Sequence, residues 1–284
     1  ILVWTRSARS VPFESWSSVK LFDPLGLPED NLGFGGASIS ADGLIVVAGK
    51  HGYDGGGVDS GAVMVWERSS KAVSFADVQA VKLVYPFGQT EDYLGQGSPS
   101  ISNDGLTLVA AAPGMGDGTV LVWERSNRAD SFQSTSVVLL PQHPTIPQYD
   151  IGEGGVTITG DGLMIVAGAP YADTTKSGAG AVFVWKRATT EIAFDDVAPT
   201  ALVNPFASSS DYLGRGRVGT SPDGLVIAAG AHGSDRSGSL SGSVVVWEIP
   251  VNYHCPPHYA GQECRPCPAE WEGTAKCDAG YAAI

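Results

Sequence analysis

The feature that most constrains this chain is an internal repeat with a period close to 60 residues. Val-Trp pairs place tryptophans at Trp4, Trp66, Trp123, Trp185 and Trp247. Asp-Gly-Leu triplets recur as a second marker and begin at Asp42, Asp104, Asp161 and Asp223. In both series one interval is 57 residues, between the same two copies, and the other intervals are 62. Two independent markers that share the same shortened interval indicate a true structural repeat.

Each unit contains the same segments in the same order. An opening Asp-x-Leu-Gly segment precedes a short strand, a turn ending in Asp-Gly, an apolar run, a Val-x-Val-Trp strand and a weaker strand that follows a Phe. Asp-Gly between apolar runs predicts a tight hairpin, because Gly readily adopts positive φ. The run from 106 to 112 is apolar at nearly every position, which predicts a strand covered on both faces. The Val-x-Val-Trp strand ends in Glu-Arg or Lys-Arg, where we expect it to emerge into water.

Four-stranded antiparallel units that must cover both faces of their central strands predict an all-β protein, a β-propeller, over residues 1–250. A β-solenoid is the main alternative, but its rungs repeat over a much shorter period. About four to five blades are visible, and the first is incomplete. We expect the recurring tryptophans to pack between blades, because aromatic side chains bury a large area. The alternative for them is an aromatic ring that stacks on sugars.

The ordered motifs resemble the FG-GAP repeats of the integrin α-subunit propeller and its microbial relatives. The best copy runs from Asp150-Ile151-Gly152 through Gly168-Ala169-Pro170 to Trp185, and a second contains Ala111-Ala112-Pro113. The other two copies depart from the pattern, with Gly49-Lys50-His51 and Gly230-Ala231-His232 in that place. The resemblance implies a seven-bladed propeller and calcium. We therefore expect further blades upstream of Ile1, and a small ring closed by its own ends is the alternative.

These residues do not supply the ligands for the calcium that the resemblance implies. Many family members carry a D-x-D-x-D-G loop between the first two strands, whereas here it has shrunk to Ala41-Asp42-Gly43 and its equivalents. One carboxylate per loop falls short of the six or more oxygens that calcium requires. We therefore predict hairpin turns at these positions, with no metal site and no cofactor.

All four cysteines lie in a short Pro- and Gly-rich segment, residues 251–284. They are Cys255, Cys264, Cys267 and Cys277. This clustering predicts a disulfide-stapled module from an oxidising compartment. Zinc is the alternative, since Cys264 and Cys267 form a C-x-x-C pair, but no second such pair follows. The segment resembles EGF-like and ephrin-receptor-like Cys-rich repeats, which are also extracellular.

The search for catalytic motifs finds no G-x-S-x-G, H-E-x-x-H or phosphate-binding loop in the sequence. His51 and His232 occupy equivalent repeat positions, and we interpret them as polar loop residues; a site shared between them is the alternative. The chain has 30 acidic and 17 basic residues, a net charge of −13, which disfavours nucleic acid as a partner. The sequence contains no stretch of eighteen apolar residues, so it predicts no helix that spans a membrane.

These observations predict an extracellular or cell-surface module that is not an enzyme and has no catalytic residues. Its propeller loops would form the contact face for a protein or glycan partner, since binding function commonly lies on loops. A structural subunit of an extracellular filament or wall, which would self-assemble, is the first alternative. An enzyme that acts on polysaccharide through the central pore is the second, because a fold does not determine a function.

Overall fold

The computed structural model describes residues 1–6, 10, 12, 17–248, 259–260 and 265–266. The chain divides into two compact units, Ile1–Trp247 and Glu248–Ile284. Among residues 249–284 the described residues form one short antiparallel strand pair, Tyr259–Ala260 with Arg265–Pro266. All four cysteines lie outside the described residues, so the disulfide framework stays a prediction. Within the described part of the chain, no helix has the length and apolar character needed to cross a membrane.

The first unit consists of antiparallel sheets in chain order, which we name blades A to E. Blade A contains β1 (Leu2–Thr5) and β2 (Ser17–Lys20). Blade B contains β3 (Ala37–Ile39), β4 (Ile45–Lys50), β5 (Ala62–Glu67) and β6 (Val81–Leu83). Blade C contains β7 (Ser100–Ile101), β8 (Thr107–Ala112), β9 (Thr119–Glu124) and β10 (Val137–Leu139). Blade D contains β11 (Val156–Ile158), β12 (Met164–Ala169), β13 (Ala181–Lys186) and β14 (Thr200–Leu202). Blade E contains β15 (Gly219–Thr220), β16 (Val226–Ala231) and β17 (Ser243–Glu248).

Within each complete blade the strands pair in sequence order, so each blade is an up-and-down meander. The first strands β3, β7 and β11 of successive blades lie beside one another and form the inner side of the arc of blades. The predicted all-β propeller architecture is therefore confirmed. The weaker strand after each Phe is shorter than predicted, because Phe75, Phe132 and Phe194 each begin a single 3-10 turn and the strand follows several residues later.

The central strands are buried on both faces, as their consecutive apolar residues predict. Alternate side chains point to opposite neighbours, because successive residues of a strand face opposite sides of a sheet. In blade B, Val46 and Met64 pack toward blade A, whereas Val47 and Val65 pack toward blade C. The repeated tryptophans Trp66, Trp123 and Trp185 are buried in these boundaries, which confirms packing between blades as their role.

The Val-x-Val-Trp strand was expected to emerge into water at its Glu-Arg or Lys-Arg end. This expectation is wrong for the arginine at that end. Arg125 and Arg187 are buried, and each guanidinium lies over the Phe that begins the following 3-10 turn, at 4.3 Å from Phe132 and 4.1 Å from Phe194. Each also donates hydrogen bonds to the carbonyl oxygen of the Asp-Gly turn in its own blade. A charged side chain is stable inside the protein when its donors are satisfied in this way.

Candidate functional site

The opening segments are held at one end of the inner strands by a backbone hydrogen bond that recurs between elements of one blade. The amide of Gly152 donates to the carbonyl of Gly168 at 2.7 Å, and that of Gly214 donates to Gly230 at 2.9 Å. The residue two positions before this glycine has positive φ in blades D and E, 53° at Asp150 and 51° at Tyr212. This turn places the side chains of the opening segment beside the loop that follows the second strand of the same blade.

Six side chains from blades D and E meet at this end of the inner strands, and we name them the mouth cluster. It consists of Asp150, Glu153, Tyr171, Tyr212, Arg215 and His232. Tyr171 and Tyr212 pack edge to face with ring centroids 5.5 Å apart, and His232 stacks on Tyr212 at 5.4 Å. The Arg215 guanidinium lies 5.8 Å from both tyrosine rings. The cluster therefore combines an aromatic wall with groups of both charges.

Glu153 is one of three members of the mouth cluster whose pKa is raised by burial, with Asp150 and Tyr171. Its Oε2 lies 3.7 Å from Nε of Arg215, too far for a hydrogen bond, and makes no hydrogen bond with any other described group. Burial and the negative charge of Asp150 raise the pKa of Glu153, against the opposing influence of Arg215 and His232. A carboxyl group in such surroundings holds a proton to higher pH than a solvated one, as a general acid must.

The two histidines that occupy equivalent repeat positions have different surroundings. His232 is exposed and stacks on Tyr212, whereas His51 is partly buried and packs edge to face against Phe34 at 5.1 Å. Burial lowers the pKa of His51 despite the opposing charge of Asp59, and its Nδ1 makes no hydrogen bond with the described residues. The structure therefore does not bring the two histidines into one shared site, and only His232 joins the mouth cluster.

The Asp-Gly turns use their carboxylates to close the hairpin. Asp42 Oδ1 accepts hydrogen bonds from the Ser40 hydroxyl at 2.6 Å and from the Leu44 amide at 2.9 Å. The same pair of bonds recurs at Asp104, Asp161 and Asp223. Among the described residues no group of three or more potential ligand side chains is placed to hold a metal ion. The turn chemistry accounts for the recurrence of this aspartate without any ligand.

A buried ionic cluster joins blades A and B on another part of the unit. Nζ of Lys50 lies 2.7 Å from Asp23 and 2.8 Å from Asp30, and Lys82 lies 3.2 Å from the same Asp23 oxygen. Asp23 and Lys82 also line a cavity of about 490 Å³ beside Trp66. Because these carboxylates and ammonium groups already neutralise one another, we assign them a structural role and assign no chemistry to this cavity.

Neither a protein-family model nor a curated protein matches the chain. Among solved structures, the chain is similar to a periplasmic gluconolactonase of Pseudomonas aeruginosa, at 18% identity and a TM-score of 0.50 over 76% of this chain and 53% of that one. It is also similar to TolB from Acinetobacter baumannii, at 13% identity and a TM-score of 0.45 over 76% and 41%. The chain therefore spans about half the length of these structures. At such low identity the likeness shows the fold alone, and no match supports the FG-GAP family specifically.

The prediction of a non-catalytic recognition module, and with it the prediction that the chain is not an enzyme, is corrected by these comparisons. A protein named as a gluconolactonase shares the propeller fold, so the fold gives no ground for excluding catalysis. Catalytic motifs such as G-x-S-x-G are contiguous in the sequence. The mouth cluster has no such motif, because its members come from separate segments of two blades. The sequence signals were that Glu153 and Arg215 occupy one repeat position that holds Phe34 and Gln96 in blades B and C, and that His232 stands where blades C and D have proline.

Proposed function

We propose that the mouth cluster binds a carbohydrate and hydrolyses its glycosidic bond, with Glu153 as the general acid. The observation that carries this proposal is the partly buried Glu153 carboxyl group, which has a raised pKa and an Oε2 without a hydrogen-bond partner. Two neighbouring carboxyl groups, one of which can hold a proton, are the groups that glycoside hydrolysis requires, and burial raises the pKa of Asp150 as well as that of Glu153. Asp150 provides the second carboxylate, three residues earlier in the same opening segment.

Substrate binding is assigned to the aromatic and cationic members of the cluster. Tyr171 and Tyr212 present ring faces and edges on which the C–H faces of a sugar ring can pack, and Arg215 offers charge-assisted hydrogen bonds to sugar hydroxyl or carboxylate oxygens. Arg215 is partly exposed beside the tyrosines, so it is available to a ligand that reaches the aromatic wall. These groups suit a neutral or acidic sugar.

The proposed reaction consumes one water molecule for each bond cleaved. Protonated Glu153 donates its proton to the glycosidic oxygen as the bond from that oxygen to the anomeric carbon breaks. A water molecule, deprotonated by Asp150, adds to the anomeric carbon. The two carboxyl groups then exchange their proton through solvent, which restores the starting protonation states.

Hydrolysis of a panel of oligosaccharides and aryl glycosides by the full chain tests the proposal. We expect turnover of at least one substrate and a loss of 10²-fold or more in kcat in E153Q, since general acid catalysis contributes that much. The matched control is E191Q, which changes an exposed glutamate in the outer part of blade D. Absence of turnover across the panel, or full activity of E153Q, would contradict the proposal.

We propose that the chain works outside the cytoplasm on a glycan partner, which is consistent with the clustering of its cysteines in one short segment. We also retain the FG-GAP resemblance for residues 1–250 and the Cys-rich EGF-like module for residues 251–284. Support for the resemblance comes from the recurring order of its motifs, and support for the module comes from the four cysteines.

A further inference from the structure

The chain contains six Asp-Gly pairs, and in this dipeptide the aspartate side chain can react with the amide that follows it. The glycine nitrogen attacks Cγ of the aspartate, and glycine has no Cβ to obstruct the approach. Four of the pairs form the hairpin turns of blades B to E. The other two lie in loops between the second and third strands of blades B and C, and they begin at Asp54 and Asp117. The sequence alone does not distinguish the six pairs.

Hydrogen bonds protect the glycine amide in five of the six pairs. In blade C, the amide of Gly118 donates to the carbonyl of Met115, three residues before it, at 2.9 Å. The four hairpin turns contain the same bond at 2.9 to 3.0 Å, donated by Gly43, Gly105, Gly162 and Gly224. An amide held in this way must give up a hydrogen bond before its nitrogen can attack the neighbouring side chain, which slows the reaction.

The pair that begins at Asp54 lacks this protection. The amide of Gly55 makes no hydrogen bond with any described residue, and both residues of the pair are exposed. The next two glycines are confined, because a Cβ added at Gly56 or Gly57 would overlap the backbone of the connection to blade C. The three atoms nearest to a Cβ added at Gly55 belong instead to the ring of Tyr53. The nitrogen of Gly55 is therefore free to react.

The carboxyl group of Asp54 lies inside the same loop. Its Oδ1 accepts a hydrogen bond from the amide of Asp59 at 2.8 Å, while its Oδ2 makes no hydrogen bond with the described residues. Blade D contains a matched loop, in which Oδ1 of Asp173 accepts from the amide of Gly178 at 2.7 Å. There the next residue is Thr174, whose β-branched side chain obstructs the attack. The two loops share this hydrogen bond and differ in the glycine that the reaction requires.

We infer that Asp54 isomerises to isoaspartate in the folded protein without an enzyme. The Gly55 nitrogen forms a bond to Cγ of the neutral carboxyl group, and one carboxyl oxygen leaves as water with its own proton and the amide proton. A water molecule then adds to the backbone carbonyl carbon of Asp54 in the five-membered ring and breaks its bond to the nitrogen. The chain now continues through Cγ. Its composition is unchanged, and the reaction requires no oxidant and no cofactor.

The product alters the contact between this loop and blade C. The amide of Glu91 donates to the carbonyl of Val58 at 2.8 Å, and that of Tyr93 donates to Asp59 at 3.0 Å. The loop therefore holds the connection from blade B to blade C. Isoaspartate adds one carbon to the backbone of the loop and moves the carboxyl group that accepts the Asp59 amide. The modification acts on this boundary and does not depend on the proposed hydrolysis.

Ageing of the folded full chain at neutral pH tests the inference by peptide mapping, with electron-transfer fragmentation to separate aspartate from isoaspartate. We expect isoaspartate at position 54 to accumulate about tenfold faster than at the hairpin sites, whose glycine amides must first release a hydrogen bond. Asp173, in the matched loop, should react more slowly than Asp54. In the chain unfolded in guanidinium chloride, all six pairs should react at similar rates. Equal accumulation at Asp54 and at the hairpin sites of the folded chain would overturn the inference.

Two asparagine variants report the same ring closure through a change of mass. D54N and D161N both keep a side-chain oxygen that can accept the hydrogen bonds of the aspartate. Ring closure expels ammonia, and the later addition of water leaves a carboxyl group in place of the amide. We expect D54N to deamidate faster in the folded state than D161N, which lies in a hairpin turn. G55A places a methyl group beside the reacting nitrogen and should slow the isomerisation of Asp54.

Near-ultraviolet circular dichroism checks that all three variants are folded. Equal rates of deamidation in D54N and D161N, or undiminished isomerisation in G55A, would each contradict a reaction that the free Gly55 amide controls.

Discussion

Arg187 donates two hydrogen bonds to the carboxylate of Glu124 in the preceding blade, from Nη1 to Oε2 at 3.1 Å and from Nη2 to Oε1 at 2.6 Å. Arg125 makes the same pair of bonds to Glu67, both at 2.8 Å. The two residues of each pair come from adjacent copies of the repeat. In both pairs, the glutamate at the end of the Val-x-Val-Trp strand in one blade is therefore held by the arginine that follows the Val-x-Val-Trp strand of the next blade. We call each pair a clamp.

The clamp predicts a large loss of stability when its arginine is removed. In R187M the carboxylate of Glu124 loses its cation and keeps only the hydrogen bond from the Thr107 hydroxyl, and the cation contact with Phe194 disappears. We expect the free energy of unfolding to fall by about 2 kcal/mol, because the carbonyl oxygens of Gly162 and Ile192 lose their donor, whereas Glu124 is partly exposed and can be hydrated. Urea denaturation measures this change in the free energy of unfolding. Lys186 stands in the place of Glu124 in blade D and is exposed, so K186Q should change stability by less than about 0.5 kcal/mol. Equal effects of the two substitutions would refute the assignment.

The buried ionic cluster predicts a specific acid dependence of stability. Burial disfavours the charged form of Asp23, but hydrogen bonds from Lys50, the Leu25 amide and Lys82 outweigh it and lower the pKa from 3.8 to about 2. A carboxyl group with a depressed pKa in the folded state stabilises the protein above its unfolded pKa, and this contribution is lost as the pH falls from about 4 to about 2.

The acid dependence is measured as the difference between the unmodified chain and D23N in urea denaturation. Between pH 4 and pH 2 the unmodified chain should lose on the order of 2 kcal/mol more than D23N, as the size of the pKa shift requires. Parallel pH profiles for the two proteins would show that Asp23 does not carry this contribution.

A comparison of two equivalent glycines tests the backbone contact between blades. G168A would push the new methyl group into the carbonyl of Gly214, whereas G230A finds open space. Ala111 occupies the same position in blade C, so the opening segment can shift to accommodate a methyl group, at a cost of about 1–3 kcal/mol. We expect G168A to be destabilised by that amount in thermal or urea unfolding and G230A to be nearly unaffected. A similar loss in both variants would argue against blade contact as the cause.

The mouth cluster predicts how the pKa of Glu153 changes when a neighbouring charge is removed. Arg215 opposes the raised pKa of Glu153, so R215Q should raise that pKa further. The acid form then persists to higher pH, and the falling limb of the pH–rate profile moves to higher pH. Carbon-13 NMR of the Glu153 carboxyl group measures the pKa without any substrate, and a downward shift in R215Q would contradict the electrostatic account.

The cysteine-rich segment predicts two disulfides from its four cysteines. Alkylation of the denatured chain without reductant should modify none of them, and alkylation after reduction should modify all four, as read by intact mass. Protection by zinc that a chelator removes would instead favour the metal alternative.

The candidate site was less predictable from the sequence than the fold. The repeat makes the blade pattern evident, because each copy carries the same turn and the same buried strand. Glu153 and Arg215 occupy one repeat position that holds Phe34 and Gln96 in blades B and C, so no recurring residue type marks that position as functional. His51 and His232 show the same limit, because equivalent positions in two copies have different neighbours.

By itself, the sequence determined the repeating four-stranded unit, its Asp-Gly hairpins and the burial of its apolar strands and tryptophans. These properties follow from local turn chemistry and from alternation along single strands, which operate over a few residues. Only the tertiary structure decided that Arg125 and Arg187 turn inward to clamp carboxylates of the preceding blade, and that six side chains from blades D and E converge. The two arginine pairs span 58 and 63 positions, and the mouth cluster joins residues as distant as Asp150 and His232. Such proximity is set by how blades stack rather than by any local pattern.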